Sequence, residues 1–343
     1  MKNSGTKKTL KRPVKNAHTV RLVILFAAVL LLSGFSKDWQ ILSGPVVINM
    51  LRQMPEFGIL ALGIMLTRIS GRIDLSVVGT ANLSSAIAIF FMRSFIQEGA
   101  SGGRTVIGII LSFIIALMLG ALCGAFNAFL IYKMEIPAFI ATIGTGSFYT
   151  GIGMILTRGT TVGGVPAAYQ ALVTTSFGPI PLTIIVYAVC AIAMAFILYK
   201  TSFGLRLYLS GTSMLASKYA GINSRDIIFK PYIIAACMSV LGGMIMVGRF
   251  NSVNMVNGSS YALLGVLICM IGGINPSGGQ GRVEGVVIAT MLIQLITTTL
   301  TQYRQINSYY NKLVIGALMI LFMVFNYYMD ILQEKRLNKE VSG

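Results

Sequence analysis

The chain has 343 residues, 55% of them hydrophobic and 11% charged, with 27 Lys and Arg against 10 Asp and Glu. Soluble domains carry about 25% charged residues, so a mean hydropathy of +0.78 with this little charge excludes a water-soluble core. The net charge of +17 does not point to nucleic acid, because the basic residues gather at the ends of apolar runs, where the positive-inside rule accounts for them.

Those runs are continuous rather than alternating and recur at about 20 residues, the length that carries a helix across a bilayer. Backbone groups in lipid must be satisfied within the spanning structure, so the fold class is all-α, a polytopic integral membrane protein with about 10 transmembrane helices. Residues 1–20 read as a basic tail with Lys2, Lys7, Lys8, Lys11, Arg12 and Lys15, residues 21–331 as the transmembrane domain, and 332–343 as a C-terminal tail. Spans are expected at 21–36, 45–67, 73–92, 105–132, 137–157, 180–199, 228–248, 285–303 and 311–330. The piece at 261–273 is short enough to be a full span or a half-helix. The first span reads as a retained anchor, since Lys37-Asp38-Trp39-Gln40 after it lacks the small residues of a cleavage site. Arg52 and Glu56, four apart on the second span, are placed to pair. The uncharged Gly/Thr/Pro-rich stretch 158–179 reads as an ordered loop or re-entrant piece.

Residues 200–230 break the pattern. Lys200, Arg206, Lys218, Arg225, Asp226 and Lys230 make a polar island after 41 residues, Gly159 to Tyr199, without Asp, Glu, Lys or Arg. Ten crossings with the first tail inside put 19 Lys and Arg on the inner side and eight on the outer side or its adjoining helix ends (Lys37, Arg52, Arg93, Arg104, Arg158, Arg249, Arg304 and Lys312). That asymmetry sets the N-terminus and the island in the cytoplasm. A half-helix at 261–273 that dips in and out would instead turn the C-terminus outward.

Asp74, in Gly71-Arg72-Ile73-Asp74-Leu75-Ser76, reads first as a helix cap near Arg68 or Arg72 and second as a proton or cation site. Gly272 to Arg282 lacks the Lys-Ser/Thr of a phosphate loop and reads as a tight turn whose glycines, Gly278, Gly279 and Gly281 among them, permit unusual backbone. Asn82, Asn127, Thr142, Gln294, Thr297, Thr298 and Thr299 either line a path or hydrogen-bond between helices, and the second is the commoner role. Gly120, Gly124, Gly242 and Gly243 suit close helix packing. Trp39, Tyr303, Tyr309, Tyr310, Tyr327 and Tyr328 suit an interfacial belt. Cys123, Cys190, Cys237 and Cys269 lie in apolar runs and read as free thiols rather than as a disulfide framework or zinc site. His18 is the only histidine and no nucleophilic, metal or ATP-binding motif is present, so catalysis by this chain is not expected.

Five stretches taken in order resemble the membrane subunit of ABC importers for ribose and other simple sugars. They are Arg72-Ile73-Asp74-Leu75-Ser76-Val77, Ile136-Pro137-Ala138-Phe139-Ile140-Ala141-Thr142-Ile143-Gly144, Thr201-Ser202-Phe203-Gly204-Leu205-Arg206, Ala220-Gly221-Ile222-Asn223, and Gly272-Gly273 with Ser277-Gly278-Gly279-Gln280-Gly281-Arg282-Val283-Glu284-Gly285. The chain departs from the family's usual pattern in having Gly71-Arg72 where most members have Gly-Gly or Ser-Gly directly before Ile-Asp-Leu-Ser, and in lacking the acid often found within the stretch matching Tyr261 to Gly265. The resemblance implies an ABC importer permease fold, a permease dimer of like or related copies, cytoplasmic ATPase subunits and an external sugar-binding protein. It implies that ATP is used by the partner, with no cofactor bound by this chain. It also implies a short coupling helix docked on the ATPase, matching Thr212, Met214, Leu215, Ala216, Ser217, Lys218, Tyr219, Ala220, Gly221, Ile222 and Asn223. Asp74, Ser76, Asn82, Asn127, Thr142, Gly278, Gly279 and Gly281 are the candidates for framework or pathway. The expectation is a sugar importer subunit of the bacterial plasma membrane, embedded in the lipid bilayer. Rival readings are an ion- or proton-coupled carrier, a membrane enzyme or receptor, and importers of nucleosides, autoinducer-2 or branched-chain amino acids.

Overall fold

The computed structural model describes residues 17–36, 39–96, 101–302, 310, 313–321 and 324. Residues 1–16 of the tail expected at 1–20, the tail at 332–343, and Tyr303, Tyr309, Tyr327 and Tyr328 lie outside these residues, whereas 17–20 belong to the first helix and not to the tail; Trp39 and Tyr310 are exposed. Twelve α-helices are described: α1 (Ala17–Ser36), α2 (Gly44–Ile69), α3 (Val77–Phe95), α4 (Gly102–Tyr132), α5 (Ala138–Thr157), α6 (Ala167–Thr174), α7 (Leu182–Lys200), α8 (Ser202–Thr212), α9 (Met214–Tyr219), α10 (Ser224–Phe250), α11 (Tyr261–Ile271) and α12 (Val283–Thr301). Of the tenth expected span, residues 313–321 are helical. Two small antiparallel ladders complete the description, β1 (Val162–Gly163) with β4 (Ser252–Val253) and β2 (Ser176–Phe177) with β3 (Ile180–Pro181).

Six of these helices, α3, α4, α5, α7, α10 and α12, are long and apolar enough to cross a membrane. Helix α2 is 26 residues long but holds Arg52, Glu56 and Arg68. It can carry them because it is the hub: α7, α10, α11 and α12 pack round it, and nearly every residue from Met54 to Ile69 is buried. The peripheral helices α4, α5 and α7 turn Ile110, Met118, Leu122, Phe139, Ile143, Ile155, Val189 and Ile192 outward. A bundle with apolar residues both inside and out is solvated by lipid tails.

Glycines set the closest approaches. A Cβ at Gly124 of α4 would stand 2.5 Å from the Tyr232 carbonyl of α10, and one at Gly243 of α10 2.7 Å from the Ala81 carbonyl of α3. With Gly120 and Gly242 likewise pressed against α10 and α2, the four expected packing glycines do pack helices together. The four sulfurs are free, three of them buried and Cys237 half-buried. The segment 158–179 is ordered: α6 lies against α7 and α10, and the buried Tyr169 hydroxyl donates to the Met244 carbonyl at 2.9 Å.

The contacts divide the bundle into two ends. At one end Gly279 N donates to the Ile69 carbonyl at 2.9 Å, and Gly71, Gly211 and Gly278 crowd the same spot. At the other end β1 pairs with β4, and Arg52 donates to Ser176 Oγ at 3.1 Å. The chain therefore changes ends between β4 and the 272–282 turn. It does so through an irregular stretch, 254–260, followed by α11, whose 11 residues rise only about 16 Å. The piece at 261–273 is the helical part of a real crossing whose other part, 254–260, is not helix, and a piece that merely dips in and out is ruled out.

Candidate functional site

The polar island folds into three pieces. Thr201 caps α8 by accepting from Gly204 N, and Ser213 caps α9 by accepting from Ala216 N at 3.2 Å. Asn223 opens α10, its Oδ1 accepting from Arg225 N at 2.9 Å. Gly221 has φ +77°, a left-handed turn that side chains with a Cβ disfavour. It lets Ile222 N reach back to the Ser217 carbonyl at 3.0 Å and closes the end of α9. Of the expected coupling residues, Ser217 is buried and fixes the helix, while Met214 and Ile222 are half-buried. Thr212, Ala216, Lys218, Ala220, Gly221 and Asn223 are exposed, together with Leu215 at 65% and Tyr219 at 85%. Leu215 and Tyr219 stand one turn apart on the same face.

This knob is wired into the bundle. Where α8 ends, Gly211 touches the Ile69 carbonyl and Gly279 N so closely that a Cβ would collide with both. Tyr208 donates to the Gly281 carbonyl at 2.8 Å, and Tyr199 accepts from Val283 N and donates to Glu284, each at 2.8 Å. A displacement of α8 and α9 thus bears on the C-terminal end of α2 and on the start of α12. Gly278, Gly279 and Gly281 take positive φ, as the turn reading expects.

Asp74 differs from its expected role. The N-cap of α3 is Ser76, and Asp74 Oδ1 accepts from Ser76 N at 2.9 Å and from Ser76 Oγ at 2.7 Å. Neither Arg68 nor Arg72 pairs with it among the described residues; Arg72 donates to the Ser70 carbonyl instead. The neighbouring Ile73 carbonyl accepts from the Tyr232 hydroxyl of α10 at 2.9 Å. Asn127 joins the cluster by donating to Ser76 Oγ at 2.7 Å. Thr142 turns back onto its own helix, to the Ala138 carbonyl. Gln294 reaches Gln53, and Thr299 reaches Ser33, so the polar residues of α12 mainly tie helices together.

Glu56 is the residue whose surroundings the sequence misplaces. It stands at mid-length of α2, 1% exposed, and its partner is not Arg52 but Arg249 in the last turn of α10. Arg249 Nε and Nη2 engage both carboxylate oxygens, the second at 3.0 Å, and the Tyr261 hydroxyl adds a third donor at 3.2 Å. Arg249 and Tyr261 flank the irregular stretch, so one carboxylate holds both its ends. Asn82 holds the middle, donating to the Met255 and Asn257 carbonyls at 3.0 and 2.9 Å. The only signal available in the sequence was a charge-bearing Arg249 just before an uncharged, Asn/Ser-rich break.

A bundle of membrane-length helices with a short loop helix projecting at one end and an interrupted crossing has the architecture of a membrane transport protein. The family model for the branched-chain amino acid transport system, permease component, matches residues 46–323, and the chain belongs to that family, the membrane subunits of ABC importers. It is 30% identical over 280 residues to the ribose import permease protein RbsC of Bacillus subtilis (strain 168), covering 81% of this chain and 83% of the relative. It is 25% identical over 331 residues to the autoinducer 2 import system permease protein LsrC of Escherichia coli (strain SMS-3-5 / SECEC), covering 95% and 92%. LsrC of Yersinia enterocolitica is 27% identical over 271 residues, covering 78% and 71%. No solved structure is a significant match.

Proposed function

We propose that this chain is the membrane-spanning subunit of an ATP-driven importer for a simple sugar of the ribose kind. It works as one of two permease copies, like or related, with a cytoplasmic ATPase and an extracytoplasmic sugar-binding protein, in a bacterial plasma membrane with its N-terminus in the cytoplasm. ATP is bound and hydrolysed by the partner, and this chain holds no cofactor. The observation that carries the reading is α9, a six-residue helix at the island's tip that offers Leu215 and Tyr219 to water beside Lys218. Large apolar side chains left exposed on a charged loop mark a docking surface. Closure of the ATPase pair would press on α9 and, through Gly211 and Tyr208, rock α2 and α12. The ribose and autoinducer 2 relatives support a small polyhydroxylated cargo.

A gradient-driven carrier would need an intramembrane acid free to bind a cation. Glu56 is engaged by Arg249 and Tyr261, and Asp74 by Ser76, which favours the ATP-driven reading. The test is Gly221→Arg, which forces a bulky residue into a left-handed turn, alongside Lys218→Glu. Both are expected to insert normally and to lose at least tenfold in sugar uptake per ATP hydrolysed by the assembled importer. Uptake at the unaltered ratio in both variants counts against the coupling role.

A further inference from the structure

Residues 251–260 read Asn-Ser-Val-Asn-Met-Val-Asn-Gly-Ser-Ser, a run of amides and hydroxyls inserted in a membrane crossing. Non-helical backbone at membrane depth is tolerated only where protein buries it or where it lines water, because lipid tails offer no hydrogen bonds. Protein buries part of this run. Met255 packs on Gly153, about 6 Å before the end of α5, and its carbonyl accepts from Asn82. Asn251, Val256 and Ser259 are nevertheless exposed, and Asn257 and Ser260 are half-buried. Lipid cannot solvate such a surface, so water does.

The side chains on it are also uncommitted. Asn254 is tied down, donating to Thr161 Oγ1 at 2.7 Å and accepting from Val256 N at 2.9 Å. Among the described residues the side chains of Asn251, Asn257, Ser259 and Ser260 make no hydrogen bond to protein. Their backbone is held in place all the same, by Glu56 at both flanks, by Asn82 in the middle and by β1 at Ser252–Val253. Fixed polar groups facing water without protein partners are what a transient ligand contact requires.

Charge decides the ligand class. No Asp, Glu, Lys or Arg occurs from Phe250 to Gly281 or from Gly159 to Tyr199. Of the cations close by, Arg249 is turned into the bundle on Glu56 and Arg93 is occupied with the Gly163 carbonyl at 3.2 Å, while Arg158 is exposed at the end of α5 with no described carboxylate at this end but the sheathed Glu56 to complement it. An amino-acid zwitterion or an ion leaving water needs opposite charge to meet it, whereas a neutral polyol needs only donors and acceptors. We propose that the interrupted crossing at 251–260 is the outer cargo-contact site of this permease, built for a neutral polyhydroxylated molecule through Asn251, Asn257, Ser259 and Ser260. The proposal rests on the sugar-import reading and names its contact residues.

The test uses the complete importer in cells, with radiolabelled ribose and leucine as probes. Asn257→Leu combined with Ser259→Val is expected to lower ribose uptake at least tenfold at equal amounts of assembled importer. Asn257→Gln combined with Ser259→Thr, which keeps the chemistry, is expected to stay within threefold of the unaltered chain. Asn257→Cys and Ser259→Cys, introduced singly, are expected to react with a membrane-impermeant maleimide added outside, more slowly in ribose and at the same rate in leucine. This labelling decides the matter if the Leu/Val pair fails to assemble. Unimpaired ribose uptake by an assembled Leu/Val pair, or cysteines that ribose does not shield, overturns the site and leaves the sugar reading standing. Uptake of leucine and not ribose by the unaltered importer overturns the sugar reading itself.

Discussion

Glu56 illustrates how much a single carboxylate can fix when it is sheathed. Its two oxygens take Arg249 and Tyr261, and those residues bracket the one crossing among the described residues that helix geometry does not complete. Removing one partner of a buried ion pair leaves an uncompensated charge and costs about 3–5 kcal/mol, whereas replacing both by apolar groups is often near neutral. Glu56→Ala is therefore expected to lower the thermal midpoint of the detergent-solubilised protein by several degrees. Glu56→Leu with Arg249→Met is expected to recover most of the loss, as followed by tryptophan-independent scanning calorimetry. A double variant as unstable as the single one would mean that the pair is not the source of the stability. Asp74 teaches the complementary lesson. An acid ahead of an apolar run reads as a cap, yet Ser76 is the cap, and Asp74 supports it from two residues upstream.

At the scale of elements, the described apolar runs long enough to span were legible as helices, because a period-free stretch of about 20 apolar residues has one solution in lipid. The start of α3 was less so: the expected span begins at 73, but 73–76 stays unwound around Asp74 and α3 starts at Val77. The island at 200–230 was legible as a charged loop, and its division into α8, α9 and the head of α10 follows from the caps at Thr201, Ser213 and Asn223. What the sequence does not display is the contact that joins the island to the bundle, the three-way meeting of Gly211 with Ile69 and Gly279. Gly211→Val would wedge α8 from the end of α2, with overpacking of about 1–3 kcal/mol. The expected outcome is an importer that assembles, hydrolyses ATP and carries at most a tenth of the normal sugar flux. Flux unchanged in Gly211→Val would show that motion reaches the bundle by another route.

For the whole molecule, charge counting and packing agree on which segments share an end. Arg68 and Arg72 line one open cleft of about 450 Å³ with Ile131 and the 135–139 turn, and Gly71 of the same connection touches Ser277 and Gly211. Arg68 and Arg72, two of the inner-side residues of the charge count, thus lie on the side that bears α9. Lys218→Cys is accordingly expected to react with an impermeant maleimide in inside-out vesicles at least tenfold faster than in intact cells; the reverse ratio would invert the topology and remove the coupling scheme. The sequence by itself determined the class, the placement of most of the described spans, and the polar loop that interrupts them, since lipid solvation and short caps act locally along the chain. Only the tertiary structure decided which charges pair, that α11 is half a crossing, and which polar side chains remain without partners. Those outcomes depend on helices such as α2, α3 and α10, distant in sequence and brought within hydrogen-bond reach by glycine-mediated packing that no local pattern encodes.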